Sequence, residues 1–134
     1  MGDQYLGEIR MVGFNFAPVG WALCNGQTMS ISQNNALFAL LGTTYGGNGT
    51  QTFGLPNLQS RIPMHAGQGG GLSARALGAF GGIEGITLQT TPIPGSPVSP
   101  VNANVGHLTR LSTVSPFLVL NFTIALQGIF PSQS

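Results

Sequence analysis

A small, loop-rich, mainly β domain with one short helix and a long C-terminal strand is the fold class this sequence predicts, and three observations predict it. Within residues 117–130, Leu118, Leu120, Phe122, Ile124, Leu126 and Phe130 fall at every second position, broken only by Gly128, which is the period-2 pattern of a strand with one apolar face. Glycine supplies 21 and proline 9 of the 134 residues, so turns are frequent. Only one segment, about residues 33–41, repeats apolar side chains at helical spacing.

The elements follow in order. Residues 5–14 alternate, with Tyr5, Ile9 and Met11 on one face and Glu8 and Arg10 on the other, and read as a half-buried strand. Pro18-Val-Gly20 turns the chain into a short apolar run over residues 21–24, closed by Asn25-Gly26, a strong turn signal. Ser32 is a good N-cap for the helix, Leu37, Phe38, Leu40 and Leu41 form its apolar face, and Gly42 stands where a helix ends. So short a helix is marginal alone and needs a sheet to pack on. Glycine dominates residues 43–82, with strand candidates at 52–55 and 61–65. Pro92, Pro94, Pro97 and Pro100 mark residues 85–110 as an extended, Pro-rich insert within a single domain of residues 1–134. Within the terminal strand, residues 114–131, the apolar run of residues 117–130 alone would span roughly 45 Å, and such a domain is scarcely that wide. It must bend, pair twice or extend into another subunit.

Composition bears on partners. Only seven residues are charged, Asp3, Glu8, Arg10, Arg61, Arg75, Glu84 and Arg110, which is 5% of the chain, and there is no lysine. Ordinary domains carry about 25%, and soluble monomers use that charge to stay dispersed. The expectation is that other copies of the same protein cover much of the surface. Four arginines are too few for the phosphate contacts of nucleic-acid binding. Residues 116–131 are too short for a membrane span and are interrupted by Asn121, Thr123, Gln127 and Gly128, so no membrane insertion is expected. Asp3 and Glu8 stand where a signal peptide has basic residues, and no cleavable leader is expected.

Candidate chemistry is sparse. Cys24 is the only cysteine and reads as a buried small hydrophobe. His65 and His107 are the only neutral-base candidates, the three carboxylates form no close-spaced pair, and no nucleophile elbow occurs. A phosphate-binding loop needs a lysine that is absent, and Gly67-Gln-Gly69 does not continue as a dinucleotide fingerprint. No catalytic residue, cofactor or metal site is expected, and the chain is read as a non-enzyme. Asn48-Gly-Thr50 and Asn121-Phe-Thr123 match the N-glycosylation pattern; only Asn48, in a surface loop, is a possible glycan site, and the Ser/Thr/Pro tract of residues 90–100 could carry O-linked sugar.

Several stretches resemble one family. Tyr5-Leu-Gly-Glu-Ile-Arg10, Phe16-Ala-Pro-x-Gly-Trp-Ala-Leu-Cys-Asn-Gly26, Ile31-Ser-Gln-Asn-x-Ala-Leu-Phe-x-Leu-Leu-Gly-Thr-Thr-Tyr-Gly-Gly47 and Thr52-Phe-x-Leu-Pro-Asn-Leu58 are similar to the phage tail collar domain. Arg61-Ile-Pro-Met-His65 and Pro116-Phe-Leu-x-Leu-Asn-Phe-x-Ile-Ala-Leu-Gln-Gly-Ile-Phe-Pro131 resemble the same family, in the bacterial branch called microcystin-dependent proteins. The resemblance implies a small, mostly β domain of tail fibres and tail-like or surface-exposed proteins. It also implies intertwined trimers at phage fibre tips, some holding metal through a His-x-His motif, where this chain has Thr91-Pro-Ile-Pro94.

Two functions follow as expectations. The first is a structural, self-assembling subunit of an extracellular filament or tail-like appendage. Its terminal strand would complete a neighbour's sheet, with Leu118, Leu120, Phe122, Ile124, Leu126, Phe130, Tyr5, Ile9 and Met11 at the subunit interface. Six such side chains buried give on the order of 10 kcal/mol before ordering costs. The alternative is an adhesive tip, a closed homotrimer whose Gly-rich loops at 45–50 and 67–71 meet a cell-surface glycan or receptor.

Overall fold

The terminal apolar segment is the seam of the fold. In the computed structural model, which describes residues 3–90 and 107–133, the strand β7 (Asn121–Ala125) lies between β1 (Ile9–Val12) and β2 (Trp21–Leu23), antiparallel to both. Ile124 pairs with Ile9 on one side and Ala22 on the other, and Thr123 pairs with Arg10 and Leu23. A central strand is covered on both faces, and Thr123, Ile124 and Ala125 are all buried.

Contacts among residues divide the chain into two compact units, Met1–Ala79 with Val119–Ser134, and Phe80–Leu118. The first holds the three-stranded sheet, a two-stranded sheet of β3 (Thr28–Ser30) and β4 (Thr52–Gly54), and the helix α1 (Asn35–Leu41). Its core gathers Leu6, Ala22, Cys24, Leu37, Phe53, Leu55 and Ile124. Leu37 is the buried residue of α1, while Phe38, Leu40 and Leu41 pack at the core's margin. The face read from helical spacing is the one that docks.

Glycine is required at one crossing. The Gly47 backbone, at φ +90°, runs so close to Phe53 that a Cβ would collide with the Phe53 main chain. Asn48 then fastens the loop: its Oδ1 accepts from the Thr50, Gln51 and Thr52 backbone N–H groups and from the Thr50 hydroxyl. A loop without regular structure is thereby given a fixed shape.

The second unit is an antiparallel pair, β5 (Gly85–Thr90) and β6 (His107–Ser112), with Ile86 opposite Leu111 and Thr87 opposite Arg110. Thr113 closes it by donating its backbone N–H to Glu84 O and its hydroxyl to Ile83 O. None of its described residues is buried.

The mainly β class with a single short helix is as the sequence predicts. Four details differ. The strand expected over 114–131 is hydrogen-bonded as a ladder only over Asn121–Ala125. It bends at Gly128, where a Cβ would strike Gln4 O, and Ile129 then bridges Tyr5 in parallel. The helix begins at Asn35 and not at 33: Ser32 bonds the Ser30 hydroxyl, and Asn34 takes the N-cap position with its amide turned back to Ser30 O. Residues 61–65 form no strand, and β1, expected half-buried, exposes Ile9, Arg10 and Met11 because it lies at the sheet's edge. β3, β5 and β6 are additions to the strands read from the sequence. The proline tract at 92–100 lies outside the described residues, as do residues 101–106 of the expected insert.

Candidate assembly surface

The nine residues expected at a subunit interface separate into two groups. Ile124 is fully buried in this chain's own core, and Phe122 and Leu126 pack against that core. Their stripe is consumed inside the chain because β7 is paired on both edges. Leu118, Leu120, Phe130, Tyr5, Ile9 and Met11 are exposed, Leu118 at 83% and Met11 at 63%. Register brings Met11 opposite Phe122 and Ile9 opposite Ile124, so β1 carries the apolar strip outward from the core to the sheet's rim.

The two edges of this sheet are unlike. Beside β2, Leu58 N–H donates to Cys24 O, Gly26 N–H donates to Pro56 O, and Asn25 bridges Asn57. Among the described residues, β1 pairs with β7 alone. Charge at this edge is internally matched: the Arg10 guanidinium lies 3.2 Å from a Glu8 carboxylate oxygen and 5.1 Å from the Trp21 ring centre. The hydrogen bond from Arg10, with a second from Tyr5 N–H, holds the Glu8 carboxyl below its ordinary range. An edge strand with its few charges already paired lacks the usual ionic guard against strand addition.

More apolar surface lies in residues that the interface reading missed. Phe14 and Phe16 stack at 4.7 Å in the β1–β2 loop, which the Asn121 amide holds by donating to Phe14 O and Asn15 Oδ1. Val19 in the same loop is entirely exposed. Ile62, Met64, Leu72 and Leu77 are exposed along the glycine-rich segment, as are Phe117 and Val119 before β7. These loop residues have no periodicity to mark a face; the low charge and high apolar content of the chain are the signal that points to them.

The remaining candidates show little chemistry. Asn48 is exposed, as a glycan acceptor must be, while Asn121 is held within β7. Cys24 is a free, buried thiol whose pKa burial pushes up to about 11. His65 is exposed and donates from Nδ1 to Ala66 O, not from a strand. His107 is on β6, and its side chain is outside the described set. Among the described residues no group of three His, Cys, Asp or Glu could hold a metal ion, and no helix is long and apolar enough to cross a membrane.

No curated protein matches the chain. The family model of the Phage Tail Collar Domain matches residues 7–63, which span β1 through β4 and α1.

Proposed function

We propose that the chain is a self-assembling structural subunit of an extracellular filament or tail-like appendage, joined to its neighbours through apolar surface and through strand addition at β1. One observation carries this reading. Among the described residues, 22 large hydrophobic side chains are exposed while 8 hydrophobic residues are buried. Monomers rarely expose extended apolar surface, and a chain with seven charged residues has little else to keep it dispersed. Neighbouring copies are the cover that this composition suits.

A terminal-strand exchange would have to draw β7 out from between β1 and β2 before a neighbour's β7 could take its place. Addition of a neighbour's strand to the outer side of β1 leaves that pairing intact. Where the added strand is not the neighbour's own β1 the contact is head-to-tail, and a head-to-tail contact that does not close makes a fibre. The test is the double substitution Ile9→Lys with Met11→Lys, which places two charges on the open edge and disturbs no buried residue. Expected is a folded chain by circular dichroism with polymer lost in negative-stain images; polymers of wild-type length in the double variant overturn the edge assignment.

A second reading, the closed homotrimer at an adhesive tip, is favoured by the Asn48 clasp, which fixes an exposed Gly-rich loop in a single shape. Mass measurement separates the two. A discrete trimer favours the tip, and a distribution of lengths favours the filament.

A further inference from the structure

The glycine-rich segment after the matched family region folds into an open depression of about 360 Å³, lined by Met64, His65, Gly67, Gly69, Leu72, Ser73 and Arg75. That volume lies at the small end of ligand sites. Backbone bonds fix its outline: Gly67 and Arg75 exchange N–H···O bonds of 2.8 Å each, and Leu72 N–H donates to Gly69 O. The Gln68 amide donates to Leu72 O and closes the turn on itself. With these main-chain groups already satisfied, side chains are left to meet a ligand.

Those side chains define a chemical class. Arg75 brings one of only four cationic side chains in the protein, and its fork of donors matches a carboxylate in two-point fashion. His65 donates from Nδ1 to a carbonyl, which can only accept, so in the neutral ring the other nitrogen, Nε2, is a hydrogen-bond acceptor. Ser73 supplies a hydroxyl that serves either way. Met64 and Leu72, both largely exposed, offer apolar flanks for C–H surface. A ligand fitting all of these has a carboxylate, hydroxyl donors and a compact body with a C–H face.

We propose that this depression binds a sugar acid, with Arg75 holding the carboxylate, His65 accepting from a hydroxyl, and Met64 and Leu72 flanking the ring. The site lies within one chain and deepens the adhesive-tip reading; Met64 and Leu72 are shared with the exposed apolar surface of the assembly reading, whereas His65, Ser73 and Arg75 are not. Its elements are loop residues with no part in the core, so the arginine can be changed without disturbing the fold.

The experiment titrates sodium glucuronate into the full chain, followed by NMR shifts or calorimetry, with glucose, hexanoate and inorganic phosphate as parallel arms. Expected is saturable binding of glucuronate in the millimolar range, with glucose and hexanoate each at least tenfold weaker. Arg75→Ala is expected to weaken glucuronate at least tenfold, and Arg75→Lys to fall between. The state of assembly, measured on the same samples, is expected to be the same in wild type and Arg75→Ala, so loss of binding and loss of polymer are read separately. Failure to saturate by 100 mM, equal binding of glucose, equal binding of phosphate, or indifference to Arg75→Ala each overturns the proposal.

Discussion

Phe53 shows what a single side chain contributes in so small a core. It is fully buried on a three-residue strand and meets the Phe38 ring at 5.6 Å, joining β4 to α1. Phe53→Ala is expected to cost about 3–5 kcal/mol, a large part of the roughly 5–15 kcal/mol that holds most domains, and urea unfolding measures it. Cys24 gives a prediction of different kind. Burial raises its pKa from the ordinary 9.0 to about 11, so between those values the unfolded chain has lost a proton that the native chain keeps. Stability from this residue is therefore whole below pH 9 and falls as pH rises toward about 11. Cys24→Ser is expected to flatten that decline, and in the native wild type the thiol should stay unlabelled by iodoacetamide at pH 8 and react once urea unfolds the chain. Burial of Cys24 was legible from its place in a short apolar run. The role of Asn48 as a four-donor clasp was not, because a lone Asn in a glycine-rich stretch gives no sign of where its side-chain oxygen will point.

At the scale of elements, the sequence marked position better than extent. Gly42 was read as the end of α1, and it is: its N–H donates to Phe38 O and its φ is +55°. Its ψ of −143° places it in a region that only glycine occupies comfortably, not in the left-handed helical well that a simple C-terminal glycine implies. Gly42→Ala is expected to destabilise the chain by about 1–3 kcal/mol, checked by denaturant midpoints, although no neighbouring atom obstructs the new methyl group. The terminal strand shows the converse. Its alternation was real, yet alternation cannot say how many residues find partners, and β1 and β2 are only four and three residues long. Partner length truncates β7, and the Gly128 bend redirects the chain toward Tyr5. β3 was missed because Thr28-Met-Ser30 is too short to show an alternation, and β5 because only Ile86 and Leu88 alternate with polar residues beside a proline-rich stretch.

For the molecule as a whole, the scarcity of charge determines which force can hold an assembly together. With seven charged residues, and the Arg10–Glu8 pair already matched within one chain, few ion pairs remain to bridge subunits. Contacts built on Met11, Phe16, Ile62, Leu118 and similar exposed side chains, as proposed, would instead be apolar and short-ranged. Two mechanisms of assembly then separate by their response to salt. Ionic contacts weaken as the screening length falls from about 10 Å at 0.1 M to about 3 Å at 1 M, whereas apolar contacts are indifferent to screening and strengthen with excluded salts such as sulfate. The expected outcome is that the fraction of polymer, measured by sedimentation, holds steady or rises between 0.05 and roughly 1 M sodium chloride and rises further in ammonium sulfate. Dissolution of the polymer by sodium chloride alone would place the holding force on charges instead, and with it the case for the exposed apolar side chains as the joining surface would fail.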